Sequence, residues 1–200
     1  MSEQPLATVE PERAQQRRAQ VLDAASACFR RNGFHGCSMA LLAKESCMSV
    51  GHIYHYFENK EAIIDAIVKR DLYECLDNID QLRNSSNLYA DMLARIETPI
   101  DNSLDPDNAA LQFEILAEAA RNPKVAAMVH TAHLHVREKI SELLAMGSHR
   151  PLSAEELEAK VEIIGTLFDG LMVRAVRFPQ INRPALLRIM SDTIRYILEQ

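Results

Sequence analysis

Apolar residues recur along this chain at spacings of three and four, and the period-two alternation of a half-buried strand is sustained nowhere. The first such segment predicts a helix over 12–32. Val21, Leu22, Ala25 and Phe29 form its stripe, and Gly33 falls just past its C-terminus, where a left-handed residue is favoured. Upstream, residues 1–11 hold two prolines and no apolar period, and read as a flexible arm. A long helix follows from Asn59, its cap, to about Leu82, carried by Ile63, Ile64, Ile67, Val68, Leu72 and Leu76. Residues 83–87 read as a loop. The pattern then predicts a helix over 88–100, a break over 101–107 around Pro106, and helices over 109–121 and 123–147. After a loop over 148–152, Ser153 and Glu156 have capping-box spacing and open a helix that runs to about Phe178. A turn over 179–182 leads to a last helix, opened by Pro184 and ending near Glu199. The expected fold is all-α.

Between the first two long helices the periods are short. Ser38 is placed to cap a helix whose apolar face is Met39, Leu42 and Ala43. Ser46, Cys47 and Met48 interrupt it, and Ser49 is placed to cap a second helix to about Phe57. Two short helices joined by a three-residue turn describe a helix-turn-helix. Ile53 and Phe57 anchor the second helix, which otherwise carries Ser49, Gly51, His52, Tyr54, His55 and Tyr56. A helix with a hydrogen-bonding outer face and no acidic residue suits a DNA major groove. The alternative is an ordinary helical hairpin with exposed tyrosines.

The run A-K-E-S-C-M-S-V-G-H-I-Y-H-Y-F-E-N-K-E-A-I, residues 43–63, resembles the DNA-binding signature of the TetR family of transcriptional regulators. Ala43, Ser49, Gly51, Tyr54, Tyr56, Phe57, Lys60 and Glu61 carry the match. Cys47 departs from it, because the family usually has glycine there, at a turn position that often needs a left-handed backbone. The resemblance covers about residues 13–68; beyond them it rests on the helical plan alone. It implies an N-terminal three-helix DNA-binding domain over 12–58 and a larger effector-binding and dimerisation domain over 59–200. It also implies DNA contacts at Arg17, Ser38, Met39, Ser49, Val50, Gly51, His52, Tyr54, His55, Tyr56 and Lys60. Ser38, Tyr56 and Lys60 would hold phosphates, while Val50, Gly51, His52 and His55 would face base edges. Arg17 shares the start of the first helix with Arg13 and Arg18, a cluster that also reads as a solvated face.

Charge adds to this picture by its distribution. The net charge of −6 alone argues against nonspecific nucleic-acid binding, but residues 1–70 carry nine Lys/Arg against eight Asp/Glu, and residues 71–200 thirteen against twenty. The acidic surplus therefore lies away from the helix-turn-helix, so one end can approach phosphates. No run of about 18 apolar residues suggests a membrane span, and no signal pattern opens the chain, so the expected location is the cytoplasm. Cys28, Cys37, Cys47 and Cys75 lack zinc or CxxC spacing, and reduced structural thiols are expected.

Other chemistry is sparse. His130, His133 and His135 invite a metal reading, but only the first two share a helix face and no carboxylate lies one turn from both. Glu114 and Glu118 lie one turn apart in an apolar helix, without a nucleophile motif, phosphate loop or cofactor fingerprint beside them. They read as a solvated stripe or as ligand-binding carboxylates. Neither a metal nor a cofactor is expected. Phe113, Leu116, Met128, His133, Phe168 and Met172 are candidates to line an effector pocket, the alternative being plain core. Gly165 and Gly170 interrupt the very apolar helix over 161–176, and a glycine there invites close approach by another helix. In TetR-like proteins the last two helices pair with those of a second copy. Leu167, Gly170, Leu171, Ile189, Thr193, Tyr196 and Ile197 are the candidates here, again against intrachain core.

The reading that follows is a homodimeric, ligand-responsive regulator of double-stranded DNA, released from a palindromic operator by a small-molecule effector, and not an enzyme. Two others compete with it: an all-helical enzyme using the acidic or histidine positions, and a DNA-binding regulator controlled by a protein partner.

Overall fold

The computed structural model describes residues 9–83, 85–178 and 180–200. Ten helices lie among them: α1 Val9–Gly36, α2 Met39–Glu45, α3 Val50–Tyr56, α4 Lys60–Asp80, α5 Leu88–Ala94, α6 Glu97–Leu104, α7 Pro106–Ala119, α8 Pro123–Gly147, α9 Ala154–Arg177 and α10 Arg183–Glu199. No strand occurs among the described residues. Most of the arm expected over residues 1–11 lies outside them, as do Asn84 of the expected 83–87 loop and Pro179 of the expected 179–182 turn. Helix α1 already begins at Val9.

The elements differ from the pattern in three places, each with a local cause. Helix α1 does not stop at Gly33 but kinks there, at φ 70° and ψ 164°, and resumes to Gly36. The single helix expected over 88–100 is two, α5 and α6, meeting at Arg95 and Ile96. Pro99 explains the break: it has no N–H for the Arg95 carbonyl, and its ring would collide with that carbonyl in a continuous helix. The wide break expected over 101–107 shrinks to Asp105. Its carboxylate accepts the Asp107 N–H at 2.9 Å, and Pro106 opens α7 where a missing N–H costs nothing.

The chain falls into two compact units, one of Met1–Val68 with Glu114–Met128, the other of Lys69–Phe113 with Val129–Gln200. This partition differs from a boundary at 58/59, because the start of α4 and the α7–α8 junction count with the helix-turn-helix. In the first unit the α1 stripe of Val21, Leu22, Ala25 and Phe29 is buried, as are Leu42, Ile53, Phe57, Ile63, Ile64 and Ile67. Those residue types recur at helical spacing on α1 to α4, so each short helix has an anchor even though neither would persist alone in water. Cys28 and Cys37 form a disulfide, with Cα atoms 5.9 Å apart. This corrects the expectation of four reduced thiols; Cys47 and Cys75 are free. In a straight helix, residues nine apart would stand roughly 13 Å apart, and the Gly33 kink brings the two together.

In the second unit α9 lies against α6, and α10 against α5 and α9. Ile100, Leu144, Val161, Ile164, Leu171, Met190, Ile194 and Leu198 form its core. The capping box of α9 is present, with Ser153 and Glu156 each bonded to the other's backbone N–H. Arg150 clamps Glu156 through both carboxylate oxygens, at 2.6 and 3.2 Å, and holds its carboxyl down at about 2. Lys160 is buried and donates to the carbonyls of Ile197 and Leu198, closing the end of α10. Arg183, at the start of α10, takes both oxygens of Asp101 at 2.6 Å and also reaches Glu97. These ties join α6, α9 and α10 into one body.

Candidate nucleic-acid interface

The two short helices owe their geometry to their caps. Ser38 accepts the Leu41 N–H at 3.1 Å and Ser49 accepts the His52 N–H at 3.1 Å, so both helices start where the hydroxyls dictate. Between them Ser46 closes α2 and is buried, and its carbonyl accepts from Gln20 of α1 at 2.6 Å. Cys47 has φ 53°, the one positive φ at a non-glycine among the described residues. The turn thus uses the left-handed backbone that glycine would supply, at a cost of roughly 1 kcal/mol or more. Arg31 pairs with Glu45 at 2.6 Å, a second tie between α1 and α2.

Helix α3 is anchored by Ile53, which is fully buried, and by Phe57 just beyond it. Val50, Gly51, His52, Tyr54 and His55 are exposed. His52 and Tyr56 lean together, with Nε2 and the phenol oxygen 3.4 Å apart, and His55 meets the Tyr56 ring edge-on. Arg18 donates to the Tyr56 carbonyl at 3.0 Å and lies over the Phe57 ring, fixing the end of α3. Gly51 is informative because a Cβ there would meet nothing within 4 Å. Packing among the described residues does not require this glycine, and a helix disfavours it by up to about 1 kcal/mol relative to alanine. Ser38, Ser49 and Arg17 are exposed and Met39 is half-buried beside them; Arg17 also bonds Gln20 at 2.9 Å.

Lys60 and the paired carboxylates are engaged with the segment between α1 and α2. The Lys60 ammonium donates to the Phe34 carbonyl at 2.7 Å and sits 4.3 Å from that ring's centre. Glu114 accepts the Phe34 N–H at 3.2 Å. Glu118 is buried and takes bonds from Arg121 at 2.8 Å and Asn122 at 3.2 Å, with His35 Nε2 at 3.0 Å. Burial opposes its ionisation, but the Arg121 and Asn122 bonds and the charges of His35 and Arg121 outweigh that and hold the carboxyl below its ordinary range. Glu114 and Glu118 therefore fasten the α1 kink and do not form a solvated stripe.

The region described as "Bacterial regulatory proteins, tetR family" matches residues 21–67, and "Tetracyclin repressor-like, C-terminal domain" matches residues 85–199, more than half of the chain. The chain belongs to the TetR family. The HTH-type transcriptional regulator UidR of Escherichia coli K12 is 34% identical over 129 residues, 64% of this chain and 65% of that protein. The match thus spans a little under two thirds of the relative's length. Among solved structures, Salmonella enterica GusR is 26% identical with a TM-score of 0.69, covering 90% of this chain and 96% of that one. Bacillus subtilis FadR, solved in complex with stearoyl-CoA, shares the fold at a TM-score of 0.73 and 18% identity, covering 90% and 96%.

In this TetR-family chain the expected pocket residues are not gathered in one unit. Phe113, His133, Phe168 and Met172 belong to the second unit, Leu116 and Met128 to the first. Leu116 and His133 are exposed, and Phe168 packs on the second unit's core. A cleft of about 210 Å³ in that unit is lined by Tyr89, Ser148, His149, Arg150, Leu198, Glu199 and Gln200. Sequence reasoning missed Asp71, a half-buried carboxylate on α4 that accepts from Gln112 at 3.0 Å and whose carboxyl burial pushes up. Its signal was its place one turn after Ile67 on an apolar helix face.

Of the dimer candidates, Gly170, Ile189, Thr193 and Tyr196 are exposed. Leu167 and Ile197 are half-buried on the core, and Leu171 is turned into it, on the inner stripe of α9 with Val161, Ile164 and Ala175. Ile163, missed from sequence, is 52% exposed and shares a face with Gly170 seven residues on. A Cβ at Gly165 or Gly170 would meet nothing within 4 Å, so no other helix among the described residues occupies the space they leave. No helix among the described residues is long and apolar enough to cross a membrane.

Proposed function

We propose that this protein is a homodimeric transcriptional repressor that binds a palindromic operator through α3 and is released by a small-molecule effector. The observation that carries the reading is Gly51. It sits on an exposed, capped helix face without acidic side chains and, among the described residues, has no packing reason for lacking a Cβ. A surface that must come close to another molecule explains it, and Val50, His52, Tyr54 and His55 around it supply an apolar contact and hydrogen-bonding groups for base edges. Ser38, Ser49 and Tyr56 flank that face as phosphate contacts, with Arg17 and Met39 at its margin. The open faces at Gly165 and Gly170, together with exposed Ile163, Ile189 and Tyr196, support pairing of α9 and α10 with those of a second copy. A two-fold pair places its recognition helices at a fixed separation, so an effector that changes the separation weakens both half-site contacts together. That FadR, of the same fold, holds stearoyl-CoA supports an effector among small organic molecules. The relatives named as transcriptional regulators support a role without catalysis.

The test is selection from a random duplex library on the immobilised protein, followed by gel shift and by footprinting on its own upstream DNA. The expected product is a palindrome with half-sites one helical turn or a multiple apart. Recovery of no enriched sequence, with binding that disappears uniformly as salt rises, contradicts the proposal.

A further inference from the structure

Resting on the DNA-binding reading above, we infer that Cys28 and Cys37 form a dithiol–disulfide site through which a thiol reductant loosens the start of α2, and with it DNA binding. The bridge lies at one strategic point of the first unit. Both cysteines are fully buried, and Cys37 immediately precedes Ser38, the cap of α2. The bonded segment contains the Gly33 kink and Phe34, whose carbonyl and N–H are held by Lys60 and Glu114. The disulfide is therefore the covalent tie between the body of α1 and the origin of the helix-turn-helix, and the bonds at Phe34 are separate, non-covalent ties of the same segment. A protein that works on DNA in a bacterial cell is surrounded by thiol reductants, where bridges are mostly transient and redox-sensing rather than permanent.

The chemistry balances with a dithiol reductant. One of its thiolates attacks a sulfur of the bridge; the S–S bond breaks and the other cysteine leaves as a thiolate, which takes up a proton. The reductant's second thiolate then displaces the first cysteine, which is protonated in turn. Two electrons pass to Cys28 and Cys37, and the reductant ends as its own cyclic disulfide. Because both sulfurs are buried, the attack waits on a local opening of the segment.

The experiment equilibrates the whole protein with reduced or oxidised dithiothreitol and reads Cys28 and Cys37 by alkylation and mass spectrometry, apart from free Cys47 and Cys75. Affinity for the selected duplex and amide exchange over residues 37–57 are measured on both forms. The expected result is a folded reduced form that exchanges faster at the start of α2 and binds about tenfold more weakly. A Cys28→Ala/Cys37→Ala variant should bind weakly under both conditions; if it does not fold, the two forms of the unaltered protein decide alone. Equal exchange and affinity in both forms, a bridge that resists dithiothreitol in the folded protein, or a redox response that survives in the double variant each overturn the inference. A difference in exchange with no duplex bound by either form supports the redox change and removes the DNA-binding reading instead.

Discussion

Lys60 and Phe34, 26 residues apart, hold one another by two interactions at once: the ammonium donates to the Phe34 carbonyl at 2.7 Å and rests 4.3 Å from the ring centre. The lysine at the start of α4 thereby fixes the segment between α1 and α2. A side chain so engaged positions the helix-turn-helix from inside the unit.

Lys60→Met, which keeps the stem and removes the ammonium, should lower folding stability by about 1.5–3 kcal/mol, the range for a bond to a charged donor. Its effect on DNA should be a loss of affinity with an unchanged dependence on salt. A phosphate contact would instead reduce the slope of log K against log salt by about one. Denaturant unfolding and a salt titration of operator binding decide between the two roles. A reduced slope with unchanged stability would make Lys60 a phosphate contact.

Gly51→Ala separates folding from recognition. Open space surrounds the position, so alanine should stabilise α3 by up to about 1 kcal/mol. The added methyl should at the same time weaken operator binding, because it intrudes where the helix meets the groove. Stability rising while affinity falls is the signature of a glycine kept for a partner. Affinity unchanged within twofold would place base reading elsewhere on α3.

Much of this was legible in the sequence because caps are local. Ser38, Ser49, Asn59 and Ser153 each bond an N–H three residues on, and the spacing alone located them; Asn182, read only as part of a turn, caps α10 in the same way. The exposed face of α3 was legible for the same reason, since Ile53 and Phe57 must point inward and their neighbours outward. What stayed hidden depends on distant partners. Glu114 meets Phe34 across 80 residues, and no periodicity announces that bond. The disulfide depends on a kink that one glycine permits but does not require. Leu171 and Gly170 are neighbours in an apolar helix, and only the packing of α9 on α6 turns one inward and leaves the other in the open.

Glu118 should make stability depend on pH in the acid range. Its carboxyl is held below the ordinary value of 4.5 in the folded chain, so the unfolded chain binds the proton more readily. The stabilisation is therefore present above about 4.5 and is lost as the pH falls through the lower folded value. Glu118→Gln should cost roughly 1 kcal/mol or more at neutral pH, because an amide accepts fewer bonds and carries no charge for Arg121 and His35. The gap between variant and parent in denaturant unfolding should narrow below pH 4.5. A gap that stays constant from pH 7 to pH 3 would show that the charge of Glu118 contributes nothing.

Gly170→Leu tests the pairing of α9 and α10. The position is exposed in a helix and a Cβ meets nothing, so the folded single copy should accept leucine and gain slightly from its better helix propensity. In a two-fold pair the same side chain enters the contact from both copies. Overpacking costs about 1–3 kcal/mol at each site, so the dimer dissociation constant should rise at least about thirtyfold. Operator affinity should then fall further than any change in α3 explains, because joint engagement of two half-sites is worth about 10²–10⁴. Sedimentation should show monomer at concentrations where the parent is dimeric, and thermal unfolding should lose its dependence on protein concentration. Ile163→Glu, on the same face, should act in the same direction. Intact dimers of both variants would mean that the open face of α9 is not where two copies meet.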